Sequence, residues 1–89
     1  MATVHLPRSL VTLFADAPPR HVELDSATLG LLVEDLEARW PGMRDRLLEP
    51  GPQLREHINV FIDGERERDL ATPLSSASVV HVIPAVAGG

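Results

Sequence analysis

Between two stretches of strand-like alternation lies a single long amphipathic segment, and having only one such segment limits what the chain can fold into. Leu29, Leu32, Val33, Leu36 and Trp40 recur at the i, i+3, i+4, i+7 spacing of one helical face, with Glu34, Asp35, Glu37 and Arg39 mostly on the other side. Asp25, Ser26 and Thr28 offer N-caps ahead of it. Pro41-Gly42 stops it, because proline cannot continue a helix and glycine takes the backbone angles that follow a helix end. On the N-terminal side, Val4 and Leu6 alternate with Thr3 and His5, and His21-Val22-Glu23-Leu24 repeats the pattern beyond the turn-forming Pro18-Pro19, which predicts a hairpin. On the C-terminal side, Ile58, Val60 and Ile62 alternate with Asn59 and Phe61 up to the turn at Asp63-Gly64, a strand expected in the middle of the sheet. Ser78 to Ile83 form the last strand. Of the intervening segments, Met43 to Leu48 predict one more helical turn and Glu49-Pro50-Gly51-Pro52 a loop. Glu65 to Asp69 are expected to be charged and exposed, and Leu70 and Leu74 to anchor the chain around Pro73. The reading is an α+β domain, a mixed sheet whose one apolar face is covered by one main helix.

A chain of 89 residues makes one small domain that must bury most of its apolar side chains. Phe14, Trp40 and Phe61 are its only aromatic residues, so the core has to be built from Leu, Val and Ile. The net charge of −5 argues against nucleic acid, whose phosphates require clustered cations. No apolar run reaches the roughly 18–20 residues that span a bilayer, and Met1-Ala2-Thr3-Val4-His5 lacks the regions of a signal peptide. No membrane association and a cytoplasmic location are therefore expected. Without cysteine there is neither a disulfide nor a thiolate. All eight basic residues are arginine, which leaves the Met1 α-amino group as the one primary amine. A GC-rich genome explains that usage; chemically, it leaves an activated carboxyl group no lysine on its own chain to react with.

The residues that usually carry catalysis are poorly arranged. His5, His21, His57 and His81 lack the paired local spacing of metal ligands, and although His5 and His21 can face each other across a hairpin, solvated strand positions account for them. Glu34, Asp35 and Glu37 do not converge on a helix and read as a solvated face. Ser75, Ser76 and Ser78 have no neighbouring His and Asp to activate them. No metal site, no bound cofactor and no catalytic residues are expected.

The chemistry is expected at the end of the sequence. Pro84-Ala85-Val86-Ala87-Gly88-Gly89 follows the last strand directly, and glycine without a Cβ passes channels that exclude other residues. Six extended residues reach about 20 Å at roughly 3.3–3.6 Å each, enough to enter another protein's active site. Residues 1–83 are read as the folded domain and 84–89 as the tail.

These stretches together, with Thr28-Leu29-Gly30, Leu36-Glu37 and Pro41-Gly42 on the helix, Ile58-Asn59-Val60-Phe61-Ile62 before Asp63-Gly64, and the complete tail, resemble the ubiquitin-like sulfur carriers of the ThiS and MoaD family, the actinobacterial CysO type above all. Ala77-Ser78 stand where that family usually has Gly-Asp before the last strand. The resemblance implies a β-grasp fold and a protein that is a co-substrate rather than an enzyme. An E1-like enzyme would adenylate the Gly89 carboxylate with ATP, and a sulfur donor would displace AMP to leave a thiocarboxylate. Pro84, Ala85, Val86, Ala87 and Gly88 would thread the partner's active site. The implied partners are that adenylating and sulfurtransferase enzyme, a sulfur-accepting synthase of the cysteine synthase or another C–S-forming type, and a metallopeptidase. Two alternatives stand beside it: a small subunit of molybdopterin synthase, and a ubiquitin-like protein modifier joined to target lysines. Strand alternation with Val80, Val82, Val60 and Ile62 toward the helix turns Phe61, Val79, His81 and Ile83 outward as a candidate docking surface; the competing reading packs them under the 64–75 loop.

Overall fold

The computed structural model describes residues 1–84. Strand β1 (Ala2–His5) is followed by a short helix α1 (Arg8–Val11) and returns as β2 (His21–Leu24); the long helix α2 (Leu29–Arg39) comes next. Helix α3 (Met43–Leu47) and a small hairpin, β3 (Leu48–Glu49) and β4 (Gln53–Leu54), lead to β5 (Ile58–Ile62), β6 (Glu65–Glu67) and β7 (Val79–Pro84). Five strands form one sheet in the order β2-β1-β7-β5-β6. The central β7 runs parallel to β1, whereas β1–β2, β5–β7 and β5–β6 are antiparallel. The sheet is mixed and packs on one main helix, the β-grasp arrangement.

Helix α2 buries the stripe its spacing predicts: Leu29, Leu32, Val33 and Leu36 are each at most 2% exposed, and Trp40 packs partly buried against the same core. Across from it the sheet contributes Val4, Val22, Leu24, Val60, Ile62, Val80 and Val82, all buried. Thr28 is the cap, with its Oγ1 accepting a hydrogen bond from the Leu31 N–H at 3.2 Å. The other free N–H groups of the helix start are met by the 70–73 loop: Leu29 N–H donates to the Thr72 carbonyl at 3.0 Å and Gly30 N–H to the Leu70 carbonyl at 2.8 Å. At the far end Gly42 adopts φ 102°, and the Glu37 carboxylate accepts from the N–H groups of Gly42 (3.1 Å) and Arg44 (2.8 Å). Those hydrogen bonds, Arg44 first, hold the Glu37 carboxyl below its ordinary range. Glu34 pairs with Arg44 across the same corner.

One sequence expectation is corrected and two are made more specific. The middle of the sheet is β7, not β5, because β1 pairs with β7 in parallel and takes the place beside it. Glu65–Asp69 are charged and mostly exposed as expected, and Glu65–Glu67 among them form an edge strand, where charged side chains suit the unpaired side. The expected Glu49–Pro52 loop forms, as the turn of a β3–β4 hairpin in which Glu49 pairs with Gln53. Two further turns were unread or uncertain. Helix α1 packs Leu10 and Val11 into the core from within the first hairpin connection. The Ala77-Ser78 turn closes through hydroxyls, with Ser75 N–H donating to Ser78 Oγ at 2.9 Å and Ser78 N–H donating to the Ser75 carbonyl at 3.1 Å. The Asp63-Gly64 turn forms as expected, with φ 52° and 86°.

A Cβ on Gly30 would lie 3.1 Å from the Leu70 carbonyl oxygen, the same atom its N–H holds. Gly30→Val is therefore expected to push the loop off the helix start and destabilise the domain by about 1–3 kcal/mol, measured by urea unfolding; a change within ±0.5 kcal/mol would contradict this packing.

Candidate functional site

Strand β7 carries the chain from the centre of the sheet to its tail. It pairs over its length with β5, from Val80 opposite Ile62 to Pro84 opposite Ile58, and with β1 from Val79 to His81. Pro84 is thus the last residue of the strand, one position beyond where the sequence places its end. Proline is tolerated at this end position, where losing one N–H costs little of the ladder. Ala85, Val86, Ala87, Gly88 and Gly89, the proposed threading residues and the proposed thiocarboxylate position, lie outside the described residues.

The alternation of β7 is as expected: Val80 and Val82 face the core, while Val79 (36% exposed), His81 and Ile83 (46% exposed) face out. Phe61 on β5 stands opposite His81 and is half-buried. The 64–75 loop does not cover these residues; its Leu70, Thr72 and Leu74 bind back to Gly30, Leu29 and Ala27 at the start of α2. The four candidate docking residues therefore share one open sheet face that adjoins the strand end.

Strand register places one more group on that face. His21, His5, His81, Phe61 and Arg66 are successive register partners across β2, β1, β7, β5 and β6. The His5 ring lies edge-on to His21 with centroids 4.2 Å apart, and stacks on His81 at 4.3 Å with planes 15° apart. The sequence foresaw the first pair across the hairpin. His81 was not foreseen as its neighbour, because the parallel β1–β7 pairing joins residues 76 positions apart. Among the described residues no group of three or more His, Asp or Glu side chains is arranged to hold a metal ion. His57 lies apart, exposed in the connection before β5.

Next to this row, Arg20 is clamped onto β1: its carbonyl accepts from the Leu6 N–H at 2.7 Å and its Nε donates to the Leu6 carbonyl at 3.2 Å. Arg20, His5, His81, Ile83 and Pro84 border a shallow hollow of about 270 Å³ beside the strand end. No residue of the sequence reading pointed to Arg20. Its one available cue was a position immediately before β2.

Desolvation lowers the His5 imidazole below its ordinary value of 6.5, and the charges of His81 and His21 lower it further. A base whose pKa drops on folding is protonated more readily in the unfolded chain. Stability is then complete above about pH 6.5 and falls as pH drops toward the folded value. The melting temperature is expected to fall between pH 7.5 and 5.5, and His5→Asn to flatten that profile; parallel profiles for the two proteins would refute the assignment.

Comparison with known proteins agrees with this geometry. The family model described as "ThiS family" matches residues 10–89. The chain is 35% identical over 75 residues to the sulfur carrier protein CysO of Mycobacterium tuberculosis, covering 79% of this chain and 81% of that protein. It is 40% identical over 68 residues to small archaeal modifier protein 3 of Haloferax volcanii, covering 73% of each. Among solved structures, CysO in the Amycolatopsis orientalis BexX/CysO complex superimposes over all of both chains with a TM-score of 0.86 and 29% identity. With its β-grasp sheet, its helix and a match that runs through residue 89, the chain belongs to the ThiS family.

Proposed function

We propose that this chain is a sulfur carrier whose reactive group is the Gly89 carboxylate. The observation that carries the reading is the family match extending through residue 89, on a fold whose central strand runs directly toward that end. A carboxylate is a poor electrophile, so an E1-like enzyme attaches AMP from ATP, releasing pyrophosphate. A sulfide equivalent then attacks the acyl carbon, AMP leaves, and the thiocarboxylate remains. Its sulfur is a soft nucleophile at neutral pH, suited to C–S bond formation by an accepting synthase such as a cysteine synthase; a metallopeptidase would then release the product and regenerate the carrier. The likeness to CysO supports this use, and the likeness to a chain of the BexX/CysO complex supports a carrier that docks on other proteins. The chain supplies the substrate group, the folded domain supplies recognition, and the activating enzyme supplies ATP chemistry. No helix among the described residues is long and apolar enough to cross a membrane.

Val79, His81, Ile83 and Phe61 are proposed as the surface that seats the activating enzyme, because they are exposed or half-exposed on the one sheet face next to the strand end. A second reading, a protein modifier, draws on the 40% identity to the archaeal modifier. In that case Gly89 would leave the adenylate as an amide on a target lysine.

Intact-mass analysis of the protein from its native cells, with fragmentation, separates the two. One oxygen replaced by sulfur at Gly89 is the expected result; Gly89 recovered only in amide linkage to other proteins overturns it in favour of the modifier. Ile83→Asp is expected to raise the KM for adenylation by about tenfold, with kcat and the melting temperature nearly unchanged; an unaltered KM would remove Ile83 from the docking surface.

A further inference from the structure

The docking face is apolar at Val79, Phe61 and Ile83, but it changes character at the end nearest the tail. There the hollow beside Pro84 is bordered by Arg20, His5 and His81, and among the described residues none that lines it is acidic. That is an unusual neighbourhood on a chain of net charge −5. The guanidinium is also held in place, since its Nε and its backbone carbonyl are both committed to Leu6. An arginine positioned in advance loses less freedom when its terminal nitrogens meet a carboxylate, whose two oxygens match the guanidinium fork.

Resting on the carrier reading, we propose that this hollow receives a side-chain carboxylate, Asp or Glu, of the activating enzyme, with Arg20 as its fixed cation and the His5 and His81 imidazoles as supporting donors. The apolar row then supplies contact area, and the hollow sets the orientation of the domain about the strand end.

The titratable groups around the hollow lean the same way. His21 on β2 touches His5 from the far side, and Arg66 on β6 stands beyond Phe61 in the same row. The one carboxylate that shares this outer face on β2 and β1 is Glu23, one step along the register and opposite Thr3. In the free protein desolvation and the neighbouring His81 and His21 disfavour protonation of His5. A carboxylate seated among them reverses that preference, so the complex takes up protons when it forms near neutral pH.

The test is calorimetric titration of the full-length chain into the enzyme that adenylates it. Arg20→Gln is expected to weaken binding about tenfold at low salt, and Arg20→Lys, which keeps the charge, by distinctly less. Raising NaCl from about 50 to about 300 mM should weaken the wild-type complex and have a much smaller effect on the Arg20→Gln complex, because the screened contact is already gone. Titration at pH 7 in two buffers of different ionisation heat should show net proton uptake for the wild type, and little for a His5→Asn/His81→Asn double variant. Should Arg20→Gln fail to fold, the Arg20→Lys affinity and the proton count decide alone. An enzyme that adenylates Gly89 yet binds Arg20→Gln as tightly as wild type, or a complex that releases protons, overturns the carboxylate contact and leaves the carrier reading intact. A chain that no adenylating enzyme accepts overturns the carrier reading, and this contact with it.

Discussion

The pairing of β7 with β1 on one side and β5 on the other is the constraint on which the rest depends. Parallel strands need a long crossover, and here the whole intervening chain provides it. Because β7 occupies the centre, the β1–β2 hairpin and the β5–β6 hairpin lie on opposite sides of it, and α2 is the element left to close the buried face. The same pairing fixes which side chains of β7 point out, and so which ones a second protein can meet. A register slip of one residue would turn Val80 and Val82 to water and bury His81.

The helix is held into this frame by hydrogen bonds that leave little slack. Its first N–H groups are satisfied by Thr28 and by carbonyls of the 70–73 loop, and the corner after its last turn is tied by the Glu37 carboxylate. The loop is thereby drawn to the helix side and away from the outer face of the sheet. Openness of the candidate docking residues is thus a product of helix capping on the opposite side of the domain.

Most of the architecture was legible because it is written in local periods. Leu29, Leu32, Val33 and Leu36 announce their helix, Ile58 to Ile62 and Val79 to Ile83 alternate, and Asp63-Gly64 names its turn. What was not legible is non-local or too short to carry a period. The central place of β7 depends on a partner at the other end of the chain, and Arg8–Val11 and Leu48–Glu49 span too few residues for any pattern. At Glu65–Glu67 charge was read rightly as exposure, and the three-residue edge strand there is likewise too short to carry a period. For the site, the outward set Val79, His81 and Ile83 followed from alternation alone. The joining of His81 to His5, and the approach of Arg20, required the sheet order.

Anchoring Pro84 in the ladder also turns the end of the chain into a ruler. With Pro84 fixed opposite Ile58, Gly89 is five residues further along the sequence. Full extension allows at most about 18 Å from there, at roughly 3.3–3.6 Å per residue. Any enzyme that grips the sheet face and reacts with Gly89 must hold its two sites within that span. Tether length then selects partners independently of how well their surfaces fit, and a single inserted or deleted residue after Pro84 would change the selection without altering the fold.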